Sequence, residues 1–147
     1  MEEVFGNPIF SYTRRQAIDD GVLIQLSGPG YAGEEWIPQM VREVGITVPV
    51  AITSEAWAEF VAMNPAAEEA GCDVKGRLWD LLFMFSLAAR QSDESEITFE
   101  FYCVIRPEST EGGPPSESGA SLVHLKSVIG PDDNGGPCIT FMLTSQD

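Results

Sequence analysis

Apolar side chains recur along this chain in two rhythms, and the rhythms place most of its elements. From Gly76 to Gln91, Leu78, Leu81, Leu82, Phe85 and Ala89 repeat at the spacing of one helical face, and Trp79, Phe83 and Leu87 widen that stripe until little of the circumference is polar. The pattern predicts a central core helix over about 76–91. Beyond it, Ile97, Phe99, Phe101, Cys103 and Ile105 alternate with Thr98, Glu100, Tyr102 and Val104, the period of two that gives a strand one buried face. Two further apolar runs, 122–129 and 138–144, flank a Gly-Pro-Asp-Asp-Asn-Gly-Gly-Pro turn, the chemistry of a hairpin. The expected class is α+β: a C-terminal three-stranded antiparallel meander (about 97–105, 122–129 and 138–144) packed against the central helix, with shorter N-terminal helices and strands before it.

Capping and turn residues divide the N-terminal half. Thr13 followed by Gln16 is a capping box for a short helix that ends at Gly21, and Val22–Leu26 reads as a strand. Ser27-Gly28-Pro29-Gly30 is a loop, and Trp36, Ile37, Met40, Val41 and Val44 return to helical spacing, with Pro38 in the first turn and Gly45 as terminator. Ile46–Ile52 is a β-branched run that Pro49 confines to a sheet edge or an extended segment. Thr53 or Ser54 caps a helix carrying Trp57, Phe60 and Val61, Asn64-Pro65 ends it, and 66–75 reads as an acidic connector. Residues 107–120 hold three Pro, three Gly and three Glu, too little apolar surface to order themselves, so they are expected to form a mobile loop within a single domain spanning 1–147.

Charge then narrows the partners. The chain carries 23 Asp and Glu against 8 Lys and Arg, a formal net charge of −15 over 147 residues. Such a surface repels nucleic-acid backbones and anionic lipid, so neither direct nucleic acid nor membrane is an expected partner. A basic protein surface is, and Glu34, Glu35, Glu43, Glu55, Glu59, Glu68, Glu69 and Asp73 are the candidate contacts. The longest apolar run, Leu81–Ala89, is broken by Ser86 and falls short of the roughly 20 residues a membrane span needs. Met1–Phe5 carries Glu2 and Glu3, the wrong sign for an export leader, and three cysteines without a C-x-x-C pair suit a reducing compartment, so a cytoplasmic location is expected.

Few residues suggest chemistry. His124 is the single histidine, and with Cys103 or Cys138 on a neighbouring strand, or with Tyr102, it is the alternative site of a small enzyme or ligand-binding domain. Asp132-Asp133-Asn134-Gly135 lacks the twelfth-position Glu of a calcium loop and reads as a hairpin tip. Ser27–Gly30 lacks the Lys and Ser/Thr of a phosphate-binding loop. No metal and no cofactor is expected. Arg77 and Asp80, three apart, are placed to pair on the core helix, and Arg14 and Arg15 oppose the dipole of the first helix in a way that suggests a contact elsewhere.

Four stretches carry a likeness: Ile9-Phe10-Ser11-Tyr12-Thr13-Arg14-Arg15-Gln16-Ala17-Ile18-Asp19-Asp20-Gly21-Val22-Leu23, Val48–Thr53, Gly76-Arg77-Leu78-Trp79-Asp80, and the hairpin from Leu125-Lys126 to Leu143. Together they resemble an uncharacterised family, a domain of unknown function, of small proteins carried on bacterial plasmids, phages and integrated mobile elements. The likeness spans the chain apart from 107–120 and 27–35, which look like insertions, and it transfers no catalytic residue. What it implies is context, since small acidic proteins of mobile elements are often accessory or counter-defence factors. The resulting expectation is a non-enzymatic acidic interaction protein that inhibits a basic host protein by presenting carboxylates where a nucleic acid would lie.

Overall fold

The computed structural model describes residues 13–147, so the reading of Met1–Phe5 lies outside the described residues. The elements are α1 (Arg14–Asp19), β1 (Leu23–Gln25), α2 (Trp36–Glu43), β2 (Val50–Thr53), α3 (Ser54–Phe60), α4 (Pro65–Glu69), α5 (Val74–Ala89), β3 (Glu96–Cys103), β4 (Ser121–Pro131) and β5 (Pro137–Met142). The class is α+β, with one five-stranded sheet in the order β1-β2-β5-β4-β3. β2 and β5 run parallel and the other neighbours antiparallel.

The alternation in β3 sets the sheet's two faces. Ile97, Phe99, Phe101 and Cys103 are buried while Glu96, Thr98, Glu100 and Tyr102 point to solvent. The register carries that alternation across the sheet: Phe99 lies opposite Leu125, Phe101 opposite Val123, Ser127 opposite Phe141, and Phe141 opposite Ile52. The inner face meets Val41 of α2, Ala56 and Phe60 of α3, and Leu78, Leu81, Leu82 and Phe85 of α5 in one hydrophobic core. Phe85 stands edge-on to Phe141 at 5.0 Å and to Phe99 at 5.7 Å, the offset geometry aromatic rings prefer. One flank of α5 stays open, with Trp79 stacked on Phe83 at 5.8 Å and both side chains exposed.

The sequence reading needs three corrections. β2 is not at an edge: it lies between β1 and β5 with all four residues buried. Pro49 immediately precedes the strand, so its missing N–H costs no ladder bond, and its carbonyl accepts the Ile139 amide at 2.9 Å. The acidic connector begins with a helix, because Asn64, which ends one helical run, caps the next: its side chain accepts from the Ala67 amide at 2.8 Å with Pro65 in the first turn. Arg77 turns inward rather than pairing with Asp80. The residue is 5% exposed, and its guanidinium donates to Val61 O at 3.1 Å, Val104 O at 2.9 Å and Glu59 O at 3.4 Å.

Two segments far apart in sequence are tied to the sheet by polar bonds. At the tip of the β4–β5 hairpin, Asp132 Oδ1 accepts the amides of Asn134 and Gly136, while the Asp133 carboxylate accepts those of Arg14 at 2.8 Å and Arg15 at 3.0 Å. Together with the Thr13–Gln16 capping box, this satisfies the free amides at the start of α1. In the 107–120 stretch, Gly112 bridges to Val123 and the Gly113 amide donates to Leu122 O. A Cβ on Gly112 would lie 2.8 Å from Ile105 Cδ1 and 3.0 Å from Val123 Cγ1, so a larger residue here requires the Ile105 side chain to shift. Among the described residues no helix is long and apolar enough to cross a membrane.

Two outcomes are expected from these bonds. Arg77→Leu removes the donor to the buried Val61 carbonyl and one of the two to Val104 O, and lowers unfolding free energy by about 3 kcal/mol, read from the urea midpoint; Arg77→Lys does not restore it, because a compact ammonium lacks the planar, spread fork that reaches carbonyls from two separate segments. Asp133→Ala costs about 1 kcal/mol, and the loss appears first as faster amide hydrogen exchange at Arg14 and Arg15.

Candidate functional site

Charges are sorted by depth. Every described Asp and Glu is exposed except Glu59, Glu111 and Asp132, which are half-buried. The cations behave in the opposite way. Arg77 and Lys126 are buried, the latter with its Nζ donating to Gln146 O. Arg14 is bonded to Thr140 Oγ1 at 2.5 Å and to Ile139 O at 2.9 Å, Arg106 holds Glu59 at 2.5 Å, and Arg15 lies 3.3 Å from Asp19. Only Arg42, Lys75 and Arg90 are exposed cations, and Lys75 rests over the Trp36 ring at 5.3 Å. The exterior is therefore more anionic than the net charge alone conveys.

The eight candidate carboxylates differ in what they are free to do. Glu34 and Glu35 precede α2 and Glu43 closes it; Glu55 is on α3, Glu68 and Glu69 are on α4, and Asp73 caps α5. Glu59 is already engaged: its carboxylate accepts from Arg106 and from the Ser109 hydroxyl at 2.7 Å, tying α3 to the 107–120 stretch. Asp73 Oδ1 accepts the Gly76 amide at 2.7 Å. Glu55 is held below the usual carboxylate range, chiefly by its own backbone amide and then by Gln146. Glu34, Glu43, Glu68 and Glu69 form no ion pair with a described cation, and Glu34 accepts from Trp36 Nε1 at 3.1 Å.

The histidine and the thiols are kept apart. His124 lies opposite Glu100 on the outer face, 52% exposed, with its Nε2 3.2 Å from Glu100 Oε2, and Tyr102 shares that face two positions along. Cys103 points the other way into the core, its Sγ 3.6 Å from Phe60 O. Cys138 lies opposite Gly130, six residues along β4 from His124, or roughly 20 Å at the rise of a strand. No Cys–His pair is formed. Burial pushes the Cys103 thiol up to about 11 even though nearby Arg77 opposes it, and burial raises the Cys138 thiol as well. Neither sulfur is thereby prepared as a nucleophile. Among the described residues no group of three or more His, Cys, Asp or Glu side chains is placed to hold a metal ion.

A concavity that the sequence reading passed over lies beside the Ser27–Gly30 loop. It has a volume of about 630 Å³, with Pro29, Val41, Ile46, Val48 and Pro49 in its wall and Arg42 as the charged lining residue. The clue in the sequence was a Gly-Pro-Gly loop standing before an amphipathic helix, but its mate, 46–49, is distant along the chain.

Comparison with known proteins adds a family and no activity. A family model described as a family of unknown function (DUF6573) matches residues 1–147. The chain belongs to that family. No curated protein and no solved structure matches it.

The thiol geometry yields a pH dependence. A folded-state value near 11 against an ordinary value of 9.0 means the native state keeps its proton while the unfolded chain loses it. The Cys103 contribution is thus complete below pH 9 and declines as pH rises toward 11. Urea titrations are expected to show a steeper loss of stability across that window in the native protein than in Cys103→Ala. Consistently, Cys103 is expected to resist iodoacetamide at neutral pH until the protein is unfolded.

Proposed function

We propose that this protein is a non-enzymatic binding domain that docks onto a cationic protein surface through the helical run from α3 to the start of α5, with Glu55, Glu68, Glu69 and Asp73 as contacts and Glu34, Glu35 and Glu43 at the ends of α2 in support. The observation that carries this reading is the sorting of charge by depth: Arg14, Arg15, Arg77, Arg106 and Lys126 are spent on carbonyls and carboxylates of the protein itself, leaving Arg42, Lys75 and Arg90 as the exposed cations, while every described helical carboxylate but Glu59 is exposed. Glu59 drops out of the contact set because Arg106 and Ser109 occupy it. A surface of this kind repels DNA, RNA and anionic lipid and attracts the Lys and Arg clusters with which other proteins hold nucleic acid. In the mobile-element setting that the sequence likeness implies, the partner is a nucleic-acid-binding host complex in the cytoplasm, and occupation of its basic surface is the counter-defence act.

The reading is tested with a labelled lysine-rich peptide as probe. Glu55→Lys, Glu68→Lys and Glu69→Lys combined are expected to weaken binding at least about tenfold, whereas the control set Asp93→Lys, Glu94→Lys and Glu96→Lys, equal in charge change but at the start of β3, weakens it less than about threefold. Affinity of the native protein is expected to fall at least about tenfold between about 50 and 300 mM salt. Equal losses in the two sets, or binding indifferent to salt, would overturn the proposal.

A further inference from the structure

We infer that the cavity between the Ser27–Gly30 loop and the 46–49 segment binds a small amphipathic anion, an apolar body carrying one carboxylate or sulfonate. Its volume of about 630 Å³ is in the range of pockets that enclose metabolite-sized ligands. Val41, 1% exposed, and Ile46, 8% exposed, bring the hydrophobic core to the cavity floor, and Pro29, Val48 and Pro49 extend the apolar wall. Arg42 is the charged member of the described lining, and it has neither an ion pair nor a side-chain hydrogen bond to any described residue. It shares that state with Arg90 alone among the described cations, the other six being engaged by carbonyls, carboxylates or a ring. An apolar cavity with one free guanidinium selects an anionic head on an apolar body, since a neutral ligand leaves the cation unused and a polyanion meets the negative exterior.

The cavity is also preformed, which lowers the ordering cost of filling it. Gln25 Nε2 donates to Ser27 O at 3.3 Å, Gly28 O at 3.4 Å and Pro29 O at 2.9 Å, so one amide clamps the loop. Ser27 Oγ accepts the Val50 amide at 3.1 Å, and the Leu26 and Ser27 amides both donate to Val50 O. Gly28 has φ +105°, and a Cβ there would lie 2.7 Å from Pro49 Cβ, so the loop and the 46–49 segment touch at backbone distance. On the other wall the Ile46 amide donates to Val41 O at 3.2 Å and fixes the exit from α2.

The test uses the full chain with 1-anilinonaphthalene-8-sulfonate as anionic probe and N-phenyl-1-naphthylamine as its uncharged counterpart. Saturable fluorescence enhancement with the sulfonate, displaced by decanoate, is expected. Arg42→Gln, at an exposed position, is expected to weaken the sulfonate about tenfold and the neutral amine hardly at all. Thr47→Trp, an exposed lining position, is expected to abolish both by filling the mouth without touching the core. Phe83→Ser on the open flank of α5 is expected to change neither. Sulfonate binding that survives Thr47→Trp, that disappears in Phe83→Ser, that is unaltered by Arg42→Gln, or that decanoate does not displace would overturn the inference, and near-ultraviolet circular dichroism shows that each variant remains folded.

Discussion

One buried guanidinium joins the elements on which everything else rests. Arg77 sits on α5, takes up Glu59 O and Val61 O at the end of α3, and reaches Val104 O just past β3. The last carbonyls of a helix have no partner of their own, and the end of a strand leaves its acceptors unsatisfied too. A cation with a fixed fork of donors meets these needs at once and sits at the negative end of the α3 dipole. Asn64 reinforces the junction by donating to the same Val104 O at 3.1 Å while capping α4. The turn from α3 through α4 into α5 is thus set by polar bonds, and the aromatic core around Phe85, Phe99 and Phe141 fills the space those bonds define.

The same use of cations shapes the exterior. A chain with this excess of carboxylates suffers self-repulsion when compact, and pairing each cation with surface acids would relieve it most directly. Instead Arg14, Arg77 and Lys126 are placed against backbone carbonyls, and among the described helical carboxylates only Asp19 and Glu59 receive a close arginine. Burial of a charge against neutral acceptors gains less than burial against a counter-ion. What it leaves is an outer layer of carboxylates with few cations among them, which is a poor arrangement for stability and a good one for meeting a basic surface.

Loops in this fold act as structural parts. The hairpin tip at 132–136 caps α1 from across the sheet, and the 107–120 stretch lays Gly112 alongside β4 and holds Glu59 through Ser109. The Ser27–Gly30 loop, clamped by Gln25 against Pro49, keeps an apolar cavity open above Val41. In each case a glycine or an Asp side chain does locally what a longer element would otherwise be needed for.

Much of the architecture was written in local pattern. The period of two in β3, the helical stripe of α5, the Thr13–Gln16 box and the turn residues at 130–137 each act through neighbours a few positions apart, so their consequences can be read from residue order. The exposure of the candidate acids other than Glu59 was legible for the same reason, because a carboxylate without a buried partner stays in water. Other outcomes depended on which distant segments met. Asn64-Pro65 looked like an ending and is also a beginning; Pro49 looked like an edge signal although β2 lies inside the sheet; Arg77 looked like the partner of Asp80 and instead serves α3 and β3. The separation of His124 from both thiols and the union of 27–30 with 46–49 into a cavity belong to the same class. Residue order alone determined most of the elements, with α4 the exception, together with their buried faces and the anionic composition of the chain, because those follow from short-range geometry and solvation. Tertiary structure decided strand order, the partners of the buried cations and the shape of the sites, because long-range pairing is chosen by the competition of the whole core for a single close-packed arrangement.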